Sequence, residues 1–260
     1  MKLKTYIINL EKSVVRRRYM QELLQGYEFL DIEFLKAIDG RLLSQEEREA
    51  RFDYARCKAL YGRTLNAGEV GCALSHRAAY KALAEGEAPY ALVFEDDISI
   101  QRDLNGLDLE AIDALLNVEK PRVLMLSGDY SFYRKKPIVR LYSAVGAYAY
   151  ILNKAAARRI LSIDPPCSVA DDWMFYKRNG LKLYAVCPYM VDANVNMNLL
   201  SSDVKQDSWS INRSLMSKKE VVIGIWAGAV KKLFKLFRHF EYKVRILDNV
   251  VVERPKNPLK

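Results

Sequence analysis

The stretch "YALVFEDDISI", residues 90–100, decides how the chain is read. Ala91, Leu92, Val93 and Phe94 form an unbroken apolar run, the pattern of a strand covered on both faces, as in a parallel sheet. Three carboxylates, Glu95, Asp96 and Asp97, follow at once. Adjacent like charges repel and suit neither strand nor helix, so a partner outside the chain is expected to neutralise them. An all-oxygen set suits Mg²⁺ or Mn²⁺, which take one or two carboxylates and complete their shells with water and phosphate. Strand alternation puts Glu95 and Asp97 on one side and Asp96 on the other. The plain alternatives are a solvated acidic turn or charges compensating a helix N-terminus.

Around this strand the pattern alternates. "TYIINL" (5–10) reads as a buried strand, and "EKSVVRRRYMQELLQGY" (11–27) as a helix with Val15, Tyr19 and Leu23 on one face and Gly26 as its stop. "DIEFLKAIDG" (31–40) is a second strand ending in a turn at Asp39-Gly40, which makes a β-α-β opening with parallel pairing. "SQEEREARFDYARCKALYG" (44–62) reads as helical, with Ser44 and Glu47 as a capping box. "EVGCALSHRAAYKALAEG" (69–86) is a helix ending at Gly86, with Val70, Ala73, Leu74 and Ala78 on a packed face. "PRVLMLSGD" (121–129) is a strand ending in a polar turn, and "VGAYAYILNKAAARRILSI" (145–163) a strand and then a helix. "CSVADDWMFYKRNG" (167–180) starts a helix behind Asp171 and Asp172, and "LKLYAVCPYMVDANVN" (181–196) returns as strand and loop. The expectation is an α/β fold with a mostly parallel central sheet and ligands at the carboxyl ends of its strands.

The 260 residues suffice for one large core, and no internal repeat or low-complexity tract is present. Cys57, Cys72, Cys167 and Cys187 form no CxxC pair and only two histidines accompany them, so spacing gives no zinc pattern. Free thiols and an N-terminus without an export signal make the cytoplasm the default. The absence of GxGxxG and GxxxxGK[ST] excludes the dinucleotide fingerprint and the P-loop.

Charge divides the chain. Residues 213–260 carry twelve Lys/Arg and four Asp/Glu, a balance of +8 out of a total of +9. This separates a near-neutral body, residues 1–212, from a basic C-terminal segment, residues 213–260. "SKKEVVIGIWAGAVKKLFKLFRHFEYK" (217–243) sets Ile225, Trp226, Ala229, Leu233, Leu236 and Phe240 near one helical face, with Lys231, Lys232, Lys235 and Arg238 mostly away from it. Its uncharged run, Val221 to Val230, is too short to cross a bilayer. A cationic amphipathic helix suits an anionic membrane surface better than nucleic acid; the alternative is a helix packed on the core. The expectation is therefore peripheral association of this segment with the cytoplasmic face of a membrane.

Two further groups bear on ligand binding. In "GEVGCALSH" (68–76), Gly71 stands near a helix start whose free N–H groups receive an anion, and Ser75 and His76 reach a phosphate or sugar hydroxyl; a packing glycine and a satisfied lone histidine are the plain alternatives. In "INLEKSVVRRR" (8–18), Asn9 ends the first strand and Arg16 and Arg17 follow on the helix, where doubly wound sheets receive nucleotide.

Taken in order, "INL", "AIDGR" (37–41), "GEVGCALSH", "LVFEDDI" (92–98), "VGAYAYILNKAAARRIL" (145–161) and "ADDWMFY" (170–176) resemble glycosyltransferase family 25, the bacterial lipooligosaccharide glycosyltransferases and collagen galactosyltransferase domains. The resemblance covers roughly residues 3–205. It implies a GT-A-like nucleotide-sugar-binding domain that transfers a hexose with inversion, most often galactose from UDP-galactose, onto a lipid-linked saccharide, with UDP-glucose or UDP-N-acetylhexosamine as other donors. Carried over, Glu95 and Asp97 are the metal ligands for Mn²⁺ or Mg²⁺. Asn9, Arg16 or Arg17, Asp39 and Asp96 fall on the nucleotide, and Ser75 and His76 near phosphate or donor sugar. Asp171, Asp172 and Asp129 are candidates for the general base. A metal-dependent phosphohydrolase or nucleotidyltransferase is the other class compatible with the acidic strand end.

Overall fold

The computed structural model describes residues 2–132, 134, 136–194, 241–245 and 250–254. Its opening follows the hydrophobic pattern. β1 (Leu3–Asn9), α1 (Val14–Leu23) and β2 (Leu30–Lys36) form a βαβ unit in which β1 and β2 pair in parallel, from Leu3 opposite Leu30 to Asn9 opposite Lys36. β3 (Tyr90–Glu95) lies on the other side of β1, also parallel, with Ile8 opposite Glu95. The carboxyl ends of three neighbouring parallel strands therefore open at one place, and they carry Asn9, Lys36 and Glu95.

The inward face of α1 differs from the expected one. Met20 is buried and Tyr19 and Leu23 partly so, whereas Val15 is 75% exposed. The helix packs through its C-terminal half, which leaves the turn around Arg16 at the open strand ends. The 44–62 stretch is two helices, α2 (Gln45–Arg51) and α3 (Tyr54–Tyr61). Phe52 breaks them: it is extended (φ −143°) and buried, and Asp53 starts α3 by accepting from the Arg56 N–H. The Ser44–Glu47 capping box is present at α2.

α4 (Ala67–Glu85) ends at Gly86 as expected, and begins earlier because Asn66 and Glu69 form a second capping box. It is buried on two faces. Val70, Ala73 and Leu74 pack with Phe52, Cys57 and Tyr61, while Ala79, Tyr80 and Leu83 enter the main core. Gly71 lets the 37–41 loop lie on this helix, since a Cβ there would stand 2.5 Å from Gly40 N and 2.6 Å from Ile38 O. Alanine ordinarily gains about 1 kcal/mol over glycine inside a helix. Here Gly71→Ala is expected to cost about 2 kcal/mol or more, because backbone must move to admit the methyl. Urea unfolding of the two proteins checks this.

Beyond β3 come β4 (Ile98–Ile100), α5 (Leu109–Leu116), β5 (Arg122–Met125), β6 (Asp129–Phe132), β7 (Ile138–Val145), β8 (Ala149–Asn153), α6 (Lys154–Leu161), α7 (Trp173–Arg178), β9 (Lys182–Val186) and β10 (Val191–Ala193). With β11 (Glu241–Arg245) and β12 (Val250–Arg254) they complete a ten-stranded sheet of order β12-β11-β6-β7-β9-β5-β8-β3-β1-β2, and β10 pairs separately with β4. β1, β2, β3, β5, β6, β9 and β12 point one way; β7, β8 and β11 run against them. The sheet is mostly parallel in direction yet mainly antiparallel in pairing, because β8 inserts antiparallel between β3 and β5, β7 between β6 and β9, and β11 between β6 and β12. All five β8 residues are buried, which reads in sequence like a parallel strand. β5 stops at Met125, so Asp129 does not end that strand; it opens β6 after Gly128, whose φ of +103° makes the turn.

The C-terminal segment returns to this sheet. β11 pairs with β6, and Val244, opposite Tyr130, is buried. The expected amphipathic helix falls on residues outside those described, except that Glu241 to Lys243 belong to β11. Among the described residues no helix is long and apolar enough to cross a membrane.

Candidate active site

β3 ends at Glu95, and Asp96 and Asp97 form the turn before β4, so strand alternation stops there. Asp96 and Asp97 consequently share one partner. Arg16 Nη1 donates to Asp96 Oδ1 at 2.9 Å and to Asp97 Oδ2 at 3.2 Å, and Asn9 Nδ2 donates to Asp96 Oδ2 at 2.6 Å. Glu95 turns elsewhere, its Oε1 lying 3.2 Å from His76 Nε2. The expected pairing of Glu95 with Asp97 on one side is thus replaced by Asp96 with Asp97. Part of the neutralisation comes from within the chain, but Arg16 is one cation among three carboxylates.

The remaining imbalance is visible at Asp97. Its Oδ1 is buried and has no hydrogen-bond partner. An orphaned buried acceptor costs about 1–3 kcal/mol unless a ligand meets it. Burial, then the charge of Glu95, pushes the Asp97 carboxyl up to about 7 against the pull of Arg16. Burial likewise raises Asp96, opposed by its bonds from Asn9 and Arg16. Carboxylate oxygens with one unmet acceptor fit a hard divalent cation.

The residues from α4 act behind this cluster. His76 is 1% exposed; its Nδ1 lies 2.7 Å from Tyr150 Oη, which is 2.9 Å from Tyr80 Oη. This chain fixes the ring so that only Nε2 faces the site, at Glu95. Ser75 Oγ donates to Gly71 O at 2.7 Å and accepts from Ile38 N at 2.8 Å, so its hydroxyl ties the 37–41 loop to the helix. The anion pocket expected near Gly71 is not formed. Asn66 and Glu69 cap the α4 N-terminus, and Arg63 grips Glu69 at 2.6 and 2.8 Å.

At the edges, Arg17 stacks on Phe34 of β2, 4.3 Å from the ring centre, while Arg16 turns to the acids. Asp39 lies beyond β2, where Arg41 and Lys12 hold it at 2.7 Å each. The Arg41 bond above all keeps its carboxyl well below the usual range. Asn9, Arg16, Glu95, Asp96 and Asp97 are therefore brought into direct contact or near it, and Asp39 and Arg17 flank them.

The three base candidates separate. Asp172 is the N-cap of α7, accepting from Phe175 N at 2.8 Å and from Tyr61 Oη at 2.7 Å, which gives it a structural role. Asp129 is exposed at the start of β6, and its charge bears on Asp192. Asp171 accepts from Gly146 N at 3.3 Å, and burial, then Glu95, raises its carboxyl. Tyr148 feels the charges of Glu95, Asp171 and Asp97 together, which puts Asp171 on the acidic cluster's side. Tyr148, Tyr150, Asp192 and Trp173 were missed in the sequence. Trp173 donates to Gly146 O at 2.7 Å and meets Tyr150 edge-on at 4.9 Å. The alternate tyrosines of "AYAYIL" were the available signal.

Fold and site together define an α/β domain with a buried carboxylate cluster where parallel strands end. Residues 2–175 match glycosyltransferase family 25 (LPS biosynthesis protein), and the chain belongs to that family. It is 24% identical over 178 residues to procollagen galactosyltransferase 2 of Mus musculus, covering 62% of this chain and 27% of that one. It is 30% identical over 172 residues to "Probable inactive glycosyltransferase 25 family member 3" of Bos taurus, covering 62% and 29%. A glycosyltransferase 25 family member of Aedes aegypti is 33% identical over 99 residues, 37% of this chain and 16% of its own. The chain thus spans between a sixth and a third of the length of these relatives.

Proposed function

We propose that this chain is a metal-assisted, inverting glycosyltransferase that moves a hexose, galactose first among the choices, from a UDP-sugar to a lipid-linked lipooligosaccharide or lipopolysaccharide acceptor. Its family supports the reaction class, and the procollagen galactosyltransferase among its relatives supports galactose. The observation that carries the reading is the buried, unpartnered Oδ1 of Asp97 at the end of β3.

Asp97, with Glu95 alongside, would hold Mn²⁺ or Mg²⁺, which when bound supplies charge neutralisation for a leaving diphosphate. Arg16 and Asn9 keep the two aspartates converged, so the oxygen donors are in place before ligand arrives. His76, clamped by Tyr150, fixes Glu95, whose charge acts on Asp97. Asp171 takes the proton of the acceptor hydroxyl as that oxygen attacks the anomeric carbon; its raised carboxyl makes it a stronger base than an exposed aspartate.

Thermal unfolding with Mn²⁺ and each nucleotide, followed by a hydrolysis screen of UDP-galactose, UDP-glucose and UDP-N-acetylhexosamines, tests this. Stabilisation by UDP and not by ADP or GDP is expected, with UDP-galactose turned over fastest. A protein indifferent to every nucleotide contradicts the reading, and phosphate release without any sugar donor favours a phosphohydrolase.

A further inference from the structure

We propose that Cys72, His76 and Glu95 form a second cation site, selective for a thiophilic divalent ion of the Zn²⁺ type. One sulfur, one nitrogen and one oxygen donor from these residues lie within 4.8 Å of one another. Cys72 and His76 stand four residues apart on α4, which puts both on one helix face, and Glu95 comes to them from the end of β3. Spacing in the sequence gives no zinc pattern because the third donor arrives only when helix and strand pack.

The geometry is close to what such an ion needs. Two ligands at 2.0–2.1 Å from a tetrahedral zinc stand roughly 3.3 Å apart, and His76 Nε2 and Glu95 Oε1 are at 3.2 Å. A thiolate at about 2.3 Å needs Sγ roughly 3.6 Å from each, so closing the set takes a movement of at most about 1 Å. Rotation of the Cys72 or Glu95 side chain supplies it. The histidine is already oriented from behind: Tyr150 Oη meets Nδ1 at 2.7 Å, Tyr80 Oη backs Tyr150 at 2.9 Å, and the Tyr150 ring stacks on the imidazole. Such outer-shell bonding is what metal-ligating histidines use to present the other nitrogen. His76 is buried, whereas Cys72 is half-buried and the Glu95 side chain is 25% exposed, so an ion enters over the thiol and the carboxylate. Binding replaces the thiol proton, which leaves to solvent, with a sulfur–metal bond.

The donor sets sort ions. The oxygens around Asp97 suit Mn²⁺ or Mg²⁺, while a thiolate and an imidazole suit zinc. Glu95 belongs to both, so zinc at the second site withdraws it from the first. That consequence rests on the role given to Glu95 under the proposed function; zinc binding itself does not.

The test uses the full chain, stripped of metal. Zn²⁺ affinity is measured by competition with a chromogenic chelator, and Co²⁺ serves as a spectroscopic stand-in. One equivalent of Zn²⁺ is expected, with a thiolate-to-cobalt charge-transfer band in the near ultraviolet. C72S should lose the band and bind zinc at least roughly 100-fold more weakly. C187S, which removes the other half-buried thiol, should keep both. A band that persists in C72S, or equal zinc affinity in C72S and wild type, overturns the site. Zinc should also remove Mn²⁺-dependent protection by UDP in the wild type and spare it in C72S; undiminished protection at saturating zinc overturns the sharing of Glu95. A protein that binds zinc as described but is indifferent to UDP contradicts the transferase reading alone.

Discussion

Asp97→Asn is expected to lower metal-dependent transfer by at least about 10³-fold, while the metal-free variant melts above the wild type at pH 8. The first effect follows from loss of a charged oxygen donor where the leaving group's charge must be met, a contribution of several kcal/mol. The second follows from proton linkage. Unfolded, an aspartate titrates near 3.9. Folded, Asp97 is held at about 7 by burial and by Glu95. Between those values the folded chain binds the extra proton, so stability falls as pH rises from about 4 to 7 and stays low above it. An amide at this position removes the loss, and the gain at pH 8 is on the order of 4 kcal/mol. Little difference is expected at pH 4. Initial rates and melting curves in chelator at both pH values check the pair of effects. Transfer retained within tenfold sinks the metal role, and a lower melting temperature at pH 8 sinks the electrostatic account of the cluster.

Asp171→Asn is expected to reduce kcat by about 10²- to 10⁴-fold with the donor KM nearly unchanged, the pattern of a lost general base. The acidic limb of the rate profile should vanish with it. Asp172→Asn makes the informative comparison: that carboxylate caps α7 and accepts from Tyr61, so its replacement should cost stability before it costs turnover. A large kcat loss in Asp172→Asn or Asp129→Asn, with Asp171→Asn active, would move the base to that residue.

How much of this was legible in the chain depends on what each pattern encodes. The apolar runs of β1 and β3 and the alternating pattern of β2 marked three strands, and the short helical connection between β1 and β2 marked their parallel pairing. Ser44 with Glu47 and Gly86 marked helix ends because capping is local chemistry. Strand direction was not legible at β8, where burial on both faces erases the alternation that marks many antiparallel strands. The acidic triplet was found by composition, yet its arrangement was not: a turn after Glu95, set by tertiary contact with Arg16, replaces the alternation of an extended chain. Ser75 looked like a ligand group and proved to be a tie between helix and loop, since a hydroxyl in sequence says nothing about its partners. Tyr150 escaped notice because its role exists only where β8 passes behind His76.

The most direct measurement is a crystal structure of the full chain grown with Mn²⁺ and UDP, with the ion located by anomalous scattering. The account predicts the manganese within coordination distance of Asp97 Oδ1, bridged to the UDP phosphates, with Arg16 and Asn9 still holding Asp96. Manganese and UDP bound together elsewhere, with the 95–97 carboxylates facing bulk solvent, would contradict it.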